Sequence, residues 1–185
     1  MARLRDQYMN EIRVNLQERL GVENSLALPR LKKITVSMGV GAAKDNKKIL
    51  EHGISILEKI SGQKSVATLA RKSVAQFRLR EGMPVGCRVT LRGVRMYEFL
   101  DRLVNVVIPR IRDFRGLHRR LDGHGNYNMG LTEQSVFPEL GTELLEFPLG
   151  MNIALTISGG SDEASAILLE EFGFPFRQPE EADVA

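Results

Sequence analysis

Val85-Gly86-Cys87-Arg88-Val89-Thr90-Leu91-Arg92 is the stretch whose alternation decides the fold. In an extended chain successive side chains point to opposite faces. Val85, Cys87, Val89 and Leu91 therefore fall on one side, and Gly86, Arg88, Thr90 and Arg92 on the other. The first set asks to be buried. A face holding two arginines cannot be core. This strand predicts a sheet with one covered face and one polar, basic face. Cys87 lies on the apolar side and reads as a small core residue, not a nucleophile.

The same period of two occurs earlier, where Ile34, Val36, Met38 and Val40 alternate with Lys33, Thr35, Ser37 and Gly39. Around these strands the period changes to that of helices. Leu4, Tyr8, Ile12, Leu16 and Leu20 recur every four residues before Gly21. Ile49, Leu50, Ile54, Leu57 and Ile60 mark a second helix ending near Gly62, and Met96, Phe99, Leu100, Leu103, Val104 and Val107 a third, ended or kinked by Pro109. A fourth helix starts at Ser161, with Asp162 and Glu163 complementing its dipole, and stops at Gly173. Shorter strands are predicted over residues 64–69, 126–137 and 150–158. Residues 118–130 read as an extended glycine-containing loop.

The order predicts an α+β fold: an antiparallel-rich sheet of about five strands with helices on one face, in the split βαβ arrangement. With 185 residues and 43% hydrophobic content the chain has material for one sizeable core. One domain is expected over residues 1–177, with an acidic disordered tail over 178–185.

Charge is split along the chain. Residues 1–120 hold 25 of the 26 Lys and Arg and 11 of the 23 Asp and Glu, a formal +14. The last 65 residues carry Arg177 and 12 acidic side chains, a formal −11. A basic body of this density is the footprint of a protein that neutralises phosphates. Arg71, Lys72, Arg78 and Arg80 fall in an irregular stretch, residues 70–84, broken by Gly82 and Pro84. It reads as a long loop or hairpin tip, with Val74 and Phe77 as its apolar anchors.

Other chemistry finds little support. Gly39-Val40-Gly41-Ala42-Ala43-Lys44 lies between a strand and a helix, but Lys44 occupies the third glycine position of a dinucleotide fingerprint. It reads better as a tight turn whose backbone N–H groups and Lys44 approach an RNA phosphate. His52, His118 and His124 are scattered, and the single Cys87 offers no metal-ligand spacing, so no metal or cofactor is expected. Ser73 and Ser135 lack a nucleophile motif. Glu98 and Asp101 read as surface ion pairs. No apolar run is long enough to span a membrane, and the N-terminus lacks the apolar core of a secretory signal. A structural RNA binder is favoured over a nucleotide-dependent enzyme or a free-standing regulatory RNA binder, because the basic residues spread over a strand face and two loops rather than lining one pocket.

Longer blocks carry a resemblance. Pro29-Arg30-Leu31-Lys32-Lys33-Ile34-Thr35-Val36-Ser37-Met38-Gly39-Val40-Gly41 resembles the first-strand signature of the bacterial large-subunit ribosomal protein L five family, which binds 5S ribosomal RNA. Ile60–Lys64, Ala70–Ala75, Gly86–Gly93, Pro109–Leu117, Gly125–Gly130 and Phe172–Arg177 resemble later blocks, in order. The resemblance implies a non-catalytic protein of the cytoplasmic ribosome that attaches 5S rRNA in the central protuberance. Its implied partners are 5S and 23S rRNA, P-site tRNA, small-subunit protein S thirteen and neighbouring central-protuberance proteins. The implied 5S-binding residues are Lys33, Ser37, Gly39, Gly41, Lys44, Gln63, Lys64, Arg88, Thr90 and Arg92. Arg71, Lys72, Ser73, Arg78 and Arg80 fall in the segment near tRNA. Arg110, Arg112 and Arg115 fall on the bridge side. The acidic Glu139, Glu143 and Glu146 are assigned there because the family's bridge partner is basic. Ser37 stands where the family usually has Asn. His118-Arg119-Arg120-Leu121, His124 and Ser158-Gly159-Gly160 also depart from its pattern, and the tail after Arg177 is longer.

Overall fold

The computed structural model describes residues 2–44, 46–141, 147–159 and 161–177, without the side chains of residues 43 and 44. Five strands form one antiparallel sheet in the order β2-β3-β1-β5-β4, with β1 Arg30–Gly39, β2 Val66–Leu69, β3 Pro84–Leu91, β4 Tyr127–Leu131 and β5 Met151–Ser158. Four main helices accompany it: α1 over residues 3–20, α2 Lys47–Ser61, α3 over residues 93–107 and α4 Asp162–Glu171. This is the expected α+β class. The predicted strand over 126–137 is shorter than expected. It stops at Leu131, and a 3₁₀ turn, Gln134–Val136, follows. The cause is Gln134, which is buried: its amide donates to the Phe147 carbonyl at 2.6 Å and accepts from Leu149 N–H at 2.7 Å. A buried amide with both ends satisfied holds the chain as a turn.

The contacts divide the chain into two compact units. The first comprises Met1–Lys33, Arg92–Asn128 and Leu155–Ala185, the second Ile34–Leu91 and Met129–Ala154.

In the first unit α1 packs on α3, and its C-terminal half on α4. The four-residue spacing of Leu4, Tyr8, Ile12 and Leu16 buries all four. An α-helix would drift off such a spacing, since its turn is 3.6 residues. The drift is taken up by a π-helical turn, Tyr8–Ile12, between α-helical Arg3–Gln7 and Arg13–Leu20. Tyr8 meets Tyr97 and Phe172 at ring separations of 6.3 and 5.9 Å. Ser161 caps α4, its hydroxyl accepting from Ala164 N–H at 3.2 Å. Asp162, in the first turn, accepts from Gly123 N–H and Gly125 N–H at 3.0 and 2.7 Å. In that loop Asp122 accepts from Asn126 and His124, which holds its carboxyl below the usual carboxylate range. Phe174 and Phe176 fold back onto Tyr127.

In the second unit Ile34, Val36 and Met38 of β1 and Cys87, Val89 and Leu91 of β3 are buried, and α2 packs on β3 with Leu50, Ile56, Leu57 and Ile60 inward. Each such side chain removed from water contributes about 1.5–3 kcal/mol. The helix comes close because Gly53 faces Cys87: a Cβ at Gly53 would lie 3.4 Å from the Cys87 sulfur. Burial pushes the Cys87 thiol up to about 11, so it is protonated at neutral pH and no nucleophile.

Candidate nucleic-acid interface

The register of β1 and β3 builds the polar face predicted from their alternation. Thr35 stands opposite Thr90, Ser37 opposite Arg88, and Arg88 in turn opposite Val66 of β2. Thr35, Ser37 and Thr90 are half-buried, while Arg88 is exposed. Three hydroxyls and a guanidinium thus lie on one face within the second unit. Val66 belongs to the same row and is 61% exposed, a feature that propensity alone did not flag. Gln63 is engaged structurally, since its amide N–H donates to the Thr90 carbonyl at 3.2 Å and extends the edge where β2 has not yet begun. Lys64 beside it is exposed.

Three glycines bound this face. Gly86 faces Thr68 across the β2–β3 ladder, and a Cβ there would collide with the Met38 carbonyl, so the fold itself demands glycine. Gly39 and Gly41 differ: neither has a positive φ, and a Cβ on either would meet no atom within 4 Å. Nothing among the described residues requires glycine at those two positions. Lys44 closes a 3₁₀ turn, Gly41–Lys44, but its side chain lies outside the described residues.

Arg92 and Lys33 belong to the first unit. β3 ends at Leu91, and Arg92 is the extended residue that precedes α3, with its side chain exposed. Lys33 is half-buried on β1.

The basic segment between β2 and β3 is a hairpin tip, organised throughout. Ala70 N–H bonds the Met83 carbonyl at 2.8 Å at its base, and Val74 and Leu79 pair near its end. A 3₁₀ turn, Ala75–Phe77, closes it, with Arg78 left-handed at φ 53°. The Ser73 hydroxyl accepts from Glu81 N–H at 2.9 Å, so it holds the hairpin. Arg71, Lys72, Arg78 and Arg80 are exposed. Val74 and Phe77, read from sequence as anchors, are 39% and 60% exposed: they are presented, not buried. The tip is therefore held by backbone hydrogen bonds, each worth about 0.5–1.5 kcal/mol, with no core of its own.

Arg110, Arg112 and Arg115 are exposed in the first unit. Glu139 is half-buried, with one carboxylate oxygen out of solvent, whereas Glu143 and Glu146 lie outside the described residues. Asp101 forms the expected surface ion pair, with Arg3 at 2.6 Å. None of Arg71, Lys72, Arg78, Arg80, Arg88 or Arg92 forms an ion pair among the described residues, which leaves these cations available to an external anion.

Comparison with known proteins identifies relatives over nearly the whole chain. The model of ribosomal protein L5 matches residues 24–80, and that of the ribosomal L5 family C-terminus residues 84–176. The chain is 52% identical over 186 residues to large ribosomal subunit protein uL5 of Rhodopirellula baltica, covering 100% of this chain and 95% of the relative. It is 54% identical over 178 residues to uL5 of Vesicomyosocius okutanii, covering 96% and 99%, and 50% identical over 179 residues to uL5 of Alkalilimnicola ehrlichii, covering 96% and 100%. A basic-faced α+β sheet with relatives of this kind defines a structural, RNA-bound constituent of the large subunit of the cytoplasmic ribosome, not an enzyme. Within that class the chain belongs to the ribosomal L5 family.

Proposed function

We propose that this large-subunit protein binds 5S rRNA through the polar sheet face of its second unit and helps to attach it in the central protuberance. The observation that carries this is the pairing of Ser37 with Arg88 and Thr35 with Thr90 on the face opposite the α2-covered core. Hydroxyls suit the 2′-OH groups of RNA, and an unpaired guanidinium suits its phosphates. Gly39 and Gly41 let a ribose–phosphate backbone approach the chain, with Lys44, Gln63 and Lys64 at the margins. Lys33 and Arg92, which belong to the first unit, are also assigned to 5S rRNA.

The hairpin tip, with Arg71, Lys72, Ser73, Arg78 and Arg80, is assigned to P-site tRNA, meeting its backbone without reading sequence. Arg110, Arg112, Arg115 and the acidic Glu139, Glu143 and Glu146 are assigned to a bridge with small-subunit protein S thirteen. 23S rRNA and the neighbouring central-protuberance proteins complete the partners. Residues 1–177 act as the RNA-binding body and 178–185 as an acidic tail. No cofactor or metal takes part.

Hydroxyl-radical footprinting of 5S rRNA tests the main assignment. The expected result is protection of one 5S segment by the full chain that disappears with Arg88→Ala and Thr90→Ala together. Persistence of the footprint in that variant contradicts it.

A further inference from the structure

A recess of about 240 Å³ lies in the first unit between α1 and the segment leading into β1. Arg5 and Arg13 of α1 and Arg30 of β1 stand around it, and no carboxylate lines it among the described residues. None of the three forms an ion pair among those residues. Their neighbours on the same helix behave otherwise: Arg3 pairs with Asp101 at 2.6 Å and Arg19 with Glu171 at 2.8 Å. Where α1 faces the rest of the unit its arginines are matched, and at this recess they are not.

Apart from Ser25, the remaining wall is made of aliphatic side chains and two tyrosines. Tyr97 is buried at its base, and the Tyr8 hydroxyl is occupied by the Pro29 carbonyl at 3.1 Å. Met9 is 50% exposed, and the Arg13 guanidinium rests 3.9 Å from its sulfur. Leu26 is 83% exposed, held there by a turn: the Asn24 side chain accepts from Leu26 N–H at 2.9 Å, and the Asn24 carbonyl from Ala27 N–H at 3.0 Å. The π-helical turn at residues 8–12 lies in the middle of this wall.

Unmatched guanidiniums beside exposed apolar side chains fit a ligand with a phosphate and a flat apolar face. We propose that the recess binds an unpaired nucleotide of ribosomal RNA, its phosphates held by Arg5, Arg13 and Arg30 and its base seated against Met9 and Leu26. It rests on family membership for the nature of the partner, but on residues distinct from those assigned to 5S rRNA. Charge complementarity and the isolation of these cations from the described carboxylates select the ligand. The recess has room for one base and not for a helix.

The test uses the full chain with ¹³C-labelled methionine methyls and a short single-stranded oligoadenylate RNA. The Met9 methyl resonance shifts on titration. Arg5→Gln, Arg13→Gln and Arg30→Gln together abolish the shift and flatten the slope of log affinity against log salt by about 2, from ~0.7 per phosphate on a single strand. Leu26→Glu, on an exposed turn where folding is not at stake, also removes the shift. Arg88→Ala leaves it in place, which keeps this site separable from the sheet face. A Met9 methyl that RNA does not move, a salt slope unchanged in the triple variant, a shift lost in Arg88→Ala, or a Met9 response to an oligoglutamate peptide but not to RNA overturns the proposal.

Discussion

Gly39, Gly41 and Gly86 carry the same side chain for opposite reasons. Gly86 is demanded by the Met38 carbonyl, whereas Gly39 and Gly41 face open space with ordinary backbone angles. Gly86→Ala is expected to cost about 1–3 kcal/mol of stability, as overpacking does. Gly39→Ala with Gly41→Ala is expected to stay within about 0.5 kcal/mol per site, as for surface changes, yet to weaken 5S rRNA binding. Thermal unfolding and 5S titration of the same proteins check this; unaltered RNA binding in the double variant removes the close-approach role. That Arg88 would stand exposed on the polar side of its strand was legible, because alternation needs only the sequence. The structural roles of Gln63 and Ser73 were not. Each commits its polar group to a backbone partner distant in sequence, Thr90 and Glu81, and no periodicity reports such bonds.

Element by element, the clear periods succeeded. The helices ending at Gly21 and Gly62, the strand at residues 84–91 and the capped α4 stand where their patterns place them. The π-helical turn in α1 had a signal, a strict spacing of four where an α-helix alternates three and four. The early end of β4 had none, since it depends on a buried Gln134 reaching Phe147 and Leu149. The hairpin tip lacks buried side chains, so its loss should not propagate. Replacing residues 74–79 by Asn-Gly, which closes a two-residue hairpin, is expected to leave 5S affinity unchanged within about two-fold, as for distant independent sites. The same change should abolish crosslinking to P-site tRNA. A large loss of 5S affinity assigns the tip to the wrong RNA.

For the molecule as a whole, the charge split is less stark in space than in sequence. Glu170 pairs with Arg19 and Arg119, and Glu171 with Arg19, within the first unit, so part of the acidic end is neutralised internally. Exposed pairs of this kind are each worth about 0–1 kcal/mol; what they change is the charge left for partners. Of the three acidic residues proposed for the bridge, Glu139 is half-buried, so charge reversal is aimed at the other two. Glu143→Lys with Glu146→Lys is expected to leave 5S binding intact and weaken subunit association at low magnesium, read by sedimentation; normal association confines these residues to solubility. Arg88 on the sheet face and Arg92 beyond its end are both proposed to neutralise 5S rRNA phosphates. This central claim is tested most directly by the affinity of the full chain for 5S rRNA across a salt series, with and without Arg88→Ala and Arg92→Ala. The expected result is weaker binding and a slope shallower by about 1 for each phosphate that is no longer neutralised. Equal affinity and an unchanged slope in the double variant would contradict it.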